Sequence, residues 1–340
     1  MQKQEVIRRI REAAATGKKR LDLRGCRLRD LPPEIGRLSR LVHLDLSFNN
    51  LTRLPEEIRQ LTGLAELDLS DNRFSSPLPV IHCPRNLTSL DLSGNQLRKL
   101  PPEIGRLTGL THLDLRDNRL NDIPPEIGRL RRLKILGLSG NQVGELPPEI
   151  GRLRSLTILD LSFNRLHCLP PEFSSLAALI HLDLSDNRFQ ELPEELFSLP
   201  GLSNLDLHGN RLHSLPEQIT GLSKLNTLDL SDNRLSSLPA RIVELQALEQ
   251  LYLEDNPLTS PPLEIGSLGF AAVQEYFASL DQESQVLEEV RVILLGESGA
   301  GKSSLLRRLF DEPFDKDVNN NNEVQNNKQH DNVNERGPTR

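Results

Sequence analysis

Leucine recurs at fixed spacing along most of the chain, in a unit of 23 residues. The stretch 110–124 reads LTHLDLRDNRLNDIP, and its apolar positions return at 133–147 and at 156–170. Each unit has an alternating Leu-x-Leu segment, an asparagine, and a second apolar stretch that contains proline. The alternation predicts a short strand with its leucines pointing inward, and the proline-containing stretch predicts short turns of helix on the opposite side of the core. A repeat of this kind predicts a solenoid in which each unit buries its apolar face against its neighbours.

The pattern LxxLxLxxNxLxxLP, at a period between about 20 and 29 residues, resembles that of leucine-rich repeats. The resemblance implies an α/β fold, a right-handed leucine-rich-repeat solenoid (horseshoe) with helical caps. Steps of 23 residues predict eleven repeats over 18–270, the first of them degenerate. The asparagine of each repeat is predicted to be buried and to bond the backbone of adjacent units. Cys26 takes the asparagine position in the first repeat, which predicts a core residue.

Amphipathic segments flank the repeats. Residues 1–17 are predicted to form an N-terminal capping helix that ends at Gly17, and 271–289 a C-terminal capping helix and linker. Both caps cover strand edges that would otherwise invite aggregation. The repeat at 64–86 departs from the pattern, and its departures predict a local distortion. They are Pro77, Leu78 and Pro84.

Composition narrows the classes of partner. The net charge of −7 argues against nucleic-acid binding and against a basic membrane-binding patch. The three cysteines lie far apart and no cysteine-rich caps flank the repeats, which favours a reducing compartment. Neither a signal peptide nor a long apolar span is visible. The sequence therefore predicts a cytoplasmic protein.

A different motif follows the repeats. Residues 290–295, VRVILL, have the pattern of a buried strand, and the next eight residues match GxxxxGK[ST]. Glycines in such a loop let backbone N–H groups approach phosphate oxygens, Lys302 would reach the β and γ phosphates, and Ser303 would bind Mg²⁺. The predicted fold therefore includes an incomplete P-loop β-α unit. The predicted nucleotide-binding residues are Gly296, Glu297, Ser298, Gly299, Ala300, Gly301, Lys302, Ser303 and Ser304.

The junction before this motif carries a second resemblance. DNPL at 255–258, YFASL at 276–280 and EVRVILLG at 289–296 resemble the boundary between the repeats and the Roc GTPase domain of Roco-family proteins. The resemblance covers about residues 1–314 and implies GTP, Mg²⁺ and intracellular signalling. Ser298 stands where Roco loops usually carry a glycine.

The Roc-like segment is short. No DxxG or NKxD motif follows the P-loop, so 290–314 is interpreted as the start of a truncated Roc domain and 315–340 as a disordered Asn-rich tail. No complete catalytic domain is visible, and the GTPase assignment stays open. One alternative is a nucleotide-dependent switch completed by another chain or a downstream region. Another is a fragment of a STAND-type P-loop ATPase.

The outward residues of the strands supply the second candidate site. Aspartates recur there, and their mutual repulsion would be relieved by a basic ligand. Phe48 and Phe163 stand where small residues are usual, and exposed aromatic residues are common in binding surfaces. His43, His112 and His181 are interpreted as surface residues rather than metal ligands. The sequence thus predicts a protein-interaction scaffold. The predicted partner-binding residues are Phe48, Phe163, Asp45, Asp68, Asp91, Asp114, Asp160 and Asp183.

Overall fold

One three-residue strand from each repeat contributes to a single parallel sheet in the computed structural model, which describes residues 3–75 and 86–283. Strands pair in chain order, and equivalent residues of successive repeats lie opposite each other, as Leu113 and Leu136 do. The fixed period thus becomes a fixed register. The strands are β1 (Arg20–Asp22), β2 (His43–Asp45), β3 (Glu66–Asp68), β4 (Ser89–Asp91), β5 (His112–Asp114), β6 (Ile135–Gly137), β7 (Ile158–Asp160), β8 (His181–Asp183), β9 (Asn204–Asp206), β10 (Thr227–Asp229) and β11 (Gln250–Tyr252).

Short 3-10 turns return the chain from one strand to the next, on the side of the core away from the sheet. Before the turn at Pro125–Arg129, Pro124 has a φ of −69°, and Pro125 opens the turn, where its missing N–H has no partner to lose. Ile127 is fully buried, and the amide of Leu130 donates to its carbonyl oxygen. The described turns span Pro33–Arg37, Glu56–Gln60, Pro102–Arg106, Pro125–Arg129, Pro148–Arg152, Pro171–Ser175, Glu194–Ser198, Glu217–Gly221 and Ala240–Glu244.

The asparagine of each repeat after the first joins the backbone of its own repeat to that of the preceding repeat, as the sequence predicts. Nδ2 of Asn118 donates to the carbonyl oxygens of Leu92 and Leu115 at 2.9 and 3.1 Å, and Oδ1 accepts from the amide of Leu97 at 3.0 Å. Cys26 occupies the equivalent place in the first repeat and is also buried. The buried asparagines are Asn49, Asn72, Asn95, Asn118, Asn141, Asn164, Asn187, Asn210, Asn233 and Asn256.

Helices lie at both ends of the sheet. The first, α1 (Lys3–Thr16), buries Val6 and Ile10 against the first repeat. Two others follow β11: α2 (Leu263–Gly266) and α3 (Phe270–Glu283), which buries Val273. None of the helices described is both long and apolar enough to cross a membrane. The residues predicted to distort the stack, Pro77, Leu78 and Pro84, lie outside the described residues.

Candidate functional site

The outward surface of the sheet is here called the sheet face. It consists of the first and third residues of each strand, together with the two residues that come after the leucine that follows the strand. In β5, His112 and Asp114 point outward while Leu113 is buried between them, as strand geometry requires. The third residue is aspartate in β1–β5 and β7–β10. Neighbouring strands are about 4.8 Å apart, so these carboxylates form a row. The row includes the predicted partner-binding residues Asp45, Asp68, Asp91, Asp114, Asp160 and Asp183.

Hydrogen bonds within the turn occupy one oxygen of most of these carboxylates. Oδ1 of Asp183 accepts from the amide of Ser185 at 2.9 Å and from its hydroxyl at 2.6 Å. The same pair of bonds joins Asp45 to Ser47. The sequence pattern did not reveal these bonds, which give the aspartates a structural role in addition to any role in binding.

Burial and mutual repulsion raise the pKa of several carboxylates in the row. Desolvation is the main cause for Asp206, and the charges of Asp183 and Asp229 raise its pKa further, to about 6. Asp206 accepts the amide of His208 but has no serine hydroxyl beside it. The pKa values of Asp91 and Asp183 are raised by the same causes, burial first. Carboxylates that resist ionisation are stabilised by an approaching cation.

The two predicted phenylalanines lie in the turn after their strands and are exposed. Phe48 is 49% exposed and Phe163 60%. Both have positive φ, 55° and 51°, at a position that other repeats fill with glycine or aspartate. The guanidinium of Arg24 lies 4.4 Å from the centroid of the Phe48 ring. Sequence reasoning found the exposure of these rings, but the backbone conformation appears only in the structure.

The histidines do not converge. Nδ1 of His43 lies 2.6 Å from Oε2 of Glu66 on the next strand, and His112 contacts the hydroxyl of Thr111. Within the ranges 3–75 and 86–283, no group of three or more His, Cys, Asp or Glu side chains could hold a metal ion.

An apolar group on the sheet face and directly beside it was missed by sequence reasoning. Ile158 in β7 is 37% exposed and pairs in register with Ile135 of β6, while Ile180, just before β8, is 40% exposed. The signal was available, because these positions are polar in most other repeats. The predicted nucleotide- and Mg²⁺-binding residues, Gly296 to Ser304, lie outside the described residues.

The repeats match known families. A family model described as "Leucine rich repeat" matches residues 19–74, 85–143 and 200–258, and one described as "Leucine-rich repeat region" matches 126–209. The chain belongs to the leucine-rich-repeat family. A comparison with curated proteins found no match to this chain.

Solved structures of other leucine-rich-repeat proteins superpose on this chain. A TDR receptor is 33% identical over 73% of this chain, with a TM-score of 0.65. The plant peptide hormone receptor RGFR1, solved in complex with RGF2, is 32% identical over 67%, with a TM-score of 0.55. Drosophila Toll, solved with Spätzle, is 26% identical over 71%, with a TM-score of 0.60. The matches span 45%, 42% and 37% of those chains, so this chain resembles less than half of each.

Proposed function

We propose that this leucine-rich-repeat protein is an interaction scaffold that binds a protein partner on its sheet face. Two of the similar structures are complexes with protein ligands, RGF2 and Spätzle, which supports this class of partner. The observation that carries the proposal in this chain is the placement of Phe48 and Phe163.

A phenylalanine at positive φ works against folding. A residue other than glycine in that conformation costs on the order of 1 kcal/mol or more, and asparagine and aspartate tolerate it best. Phe163 recovers little of this cost by packing, since it is 60% exposed. Large aromatic side chains that stay in water serve binding well, because they bury much apolar area when a partner arrives. The two rings are therefore the anchors of the proposed interface.

The test compares the proteins captured by matched variants of the full chain. Wild type, Phe48→Ser with Phe163→Ser, and Leu268→Ser are immobilised and exposed to the same cell lysate. Leu268 is 73% exposed but lies between α2 and α3, away from the sheet face. The expected result is a protein that wild type and Leu268→Ser retain and the double variant loses. The melting temperature of the double variant should stay almost unchanged. Identical captures by all three chains would contradict the proposal, and a large drop in melting temperature would show that the rings are packed.

A second candidate function rests on the sequence motif at 296–303. We propose that Lys302 and its loop bind GTP with Mg²⁺ held by Ser303, as a remnant of a Roco-type Roc domain used in intracellular signalling. The full GxxxxGK[ST] motif after an apolar strand pattern supports this proposal. The remaining nucleotide contacts would come from another chain or a downstream region.

A titration with a fluorescent GTP analogue and Mg²⁺ tests the second proposal. The expected result is micromolar or tighter binding that Lys302→Ala abolishes, with a fluorescent ATP analogue as the comparison. If wild type and Lys302→Ala bind the GTP analogue equally, or if neither binds it, the repeats remain as the functional part of the chain. Preference for ATP would favour the STAND-type alternative.

A further inference from the structure

The solenoid contains two copies of a five-repeat unit. The turn position of Phe48 reads Gly25, Phe48, Asp71, Gly94, Asp117 in the first five repeats, and Gly140, Phe163, Asp186, Gly209, Asp232 in the next five. All ten residues have positive φ. The core shares one substitution between the two units, because Phe74 and Phe189 replace leucine at equivalent, fully buried positions. Equivalent sites in the two units can therefore be compared residue by residue.

The two units differ at outward positions of their strands, where the packing of the core does not dictate the side chain. At the first position of the first two strands, the first unit carries Arg20 and His43, and the second carries Ile135 and Ile158. Ala65 of the first unit corresponds to Ile180 of the second. The second unit therefore carries an apolar patch, here defined as Ile135, Ile158 and Ile180, where the first unit carries polar or small groups.

The patch has a neutral border on its β5 side. Gly137 stands where the other strands of both units carry aspartate, so the carboxylate row is interrupted beside Ile135. A Cβ on Gly137 would lie 3.1 Å from Cγ of Arg116, which shows that the arginine stem passes over this glycine. The Arg116 guanidinium holds both oxygens of Asp114, with its Nε 2.9 Å from Oδ2 and 3.0 Å from Oδ1. The charge next to the patch is thus neutralised within the chain.

The other border is acidic. The four strands β7–β10 contain no lysine or arginine and end in Asp160, Asp183, Asp206 and Asp229. The arginine that follows the buried asparagine in each of these repeats, such as Arg188, makes no ion pair with these carboxylates in the described ranges. Burial and the neighbouring charges raise the pKa of Asp183 and Asp206. This side of the patch would gain most from cations supplied by a partner.

Building on the proposed function, we infer that the second five-repeat unit binds an extended segment of a partner protein that places an aliphatic or aromatic anchor on Ile135, Ile158 and Ile180 and lysine or arginine side chains on Asp183, Asp206 and Asp229. The apolar patch supplies the desolvated centre that interfaces use for affinity. The carboxylates give direction, since the segment must run from the patch toward β10 to bring its cations over them.

Peptide selection on the intact chain tests the inference. Random dodecapeptides displayed on phage are selected on the full-length protein, and the affinities of enriched peptides are measured by fluorescence anisotropy. We expect enriched sequences with lysine or arginine close to a large apolar residue. Ile158→His should weaken binding about tenfold or more, the size of a strong interface contact. Since His43 already occupies the equivalent strand position, this substitution suits the fold.

The contribution of the carboxylates is tested with the double variant Asp183→Asn and Asp206→Asn, in which each amide oxygen can still accept the hydrogen bonds of the turn. It should weaken binding by a similar factor and reduce its dependence on salt. Asp30→Asn with Asp122→Asn removes the same charge from exposed positions off the sheet face, and Leu268→Ser is the apolar control. Both controls should bind as wild type.

Three results would overturn the inference. Enrichment of acidic peptides, or of none, would contradict the stated chemistry. Binding that depends on Asp45→Asn with Asp68→Asn, but not on the second unit, would move the site to the first unit and leave the proposed sheet-face function standing. Peptides that bind but are insensitive to every sheet-face substitution would count against both proposals.

Discussion

Side chains only one position apart in the same turn have opposite roles. Asn49 is buried and has four polar contacts with backbone groups, whereas Phe48 before it leaves about half of its surface in water. The asparagine serves folding, since its side chain supplies hydrogen bonds to backbone groups of the turn and of the preceding repeat. The fold constrains the position before the asparagine only through its positive φ. Its side chain does not pack in the core and is therefore available for function.

Asn49→Ala is expected to destabilise the protein by on the order of 3 kcal/mol, because the buried amide of Leu28 and the carbonyl oxygen of Leu23 both lose their hydrogen bonds to Asn49. Asn50→Ala is the matched control in the same turn, since Asn50 is only partly buried. Denaturant unfolding of both variants measures the difference. Equal stability of the two would show that the asparagine ladder is dispensable.

Asp206 predicts a specific dependence of stability on pH. Its folded-state pKa of about 6 exceeds the unfolded value, so the folded protein binds the proton more tightly. Its stabilising contribution is complete below about pH 4 and is lost as the pH rises through about 6. Asp206→Asn should therefore gain stability relative to wild type between these pH values and keep the gain at pH 7. A difference in the free energy of unfolding between Asp206→Asn and wild type that stays constant from pH 4 to 7 would contradict the raised pKa of Asp206.

At the scale of elements, glycine sets how closely successive 3-10 turns pack. A Cβ on Gly128 would lie 2.5 Å from the carbonyl oxygen of Glu149 in the next turn, and one on Gly151 would lie 2.1 Å from that of Glu172. Both distances are too short for a carbon beside an oxygen. The Pro-Glu-Ile-Gly-Arg turns therefore need glycine because there is no space for a Cβ atom, and not because of the backbone conformation.

Gly128→Ala should destabilise the protein by about 1–3 kcal/mol, the usual cost of overpacking. Gly144→Ala is the control, since nothing lies within 4 Å of its Cβ position and its φ is not positive. It should be neutral or slightly stabilising, because alanine restricts the unfolded chain. Thermal unfolding of the two variants separates steric crowding from a general effect of alanine. Similar melting temperatures would refute the close-packing argument.

At the scale of the whole molecule, the stacking of the repeats could be predicted from the sequence. The side chains that distinguish one part of the sheet face from another could be predicted only in part. Leucine spacing and the asparagine give each residue its place, because every repeat copies the same contacts. Arg116 pairs with Asp114 of its own repeat, and its stem lies over Gly137 of the next repeat, where the aspartate of the pattern is missing. The positive φ of Phe163 could not be read from spacing either. Features that most repeats share set the frame and the aspartate row, whereas Phe163, Ile158 and Gly137 on the sheet face depart from the shared pattern.

Photo-crosslinking in cells tests the central claim, that the sheet face is the surface that holds a protein partner. The photoreactive residue p-benzoylphenylalanine replaces Phe163 in one full-length chain, which keeps an aromatic ring at that position, and replaces the exposed Arg129 of a 3-10 turn in another. We expect a discrete adduct with another protein from position 163 and none from position 129. Adducts from position 129 alone, or the same adducts from both, would contradict it.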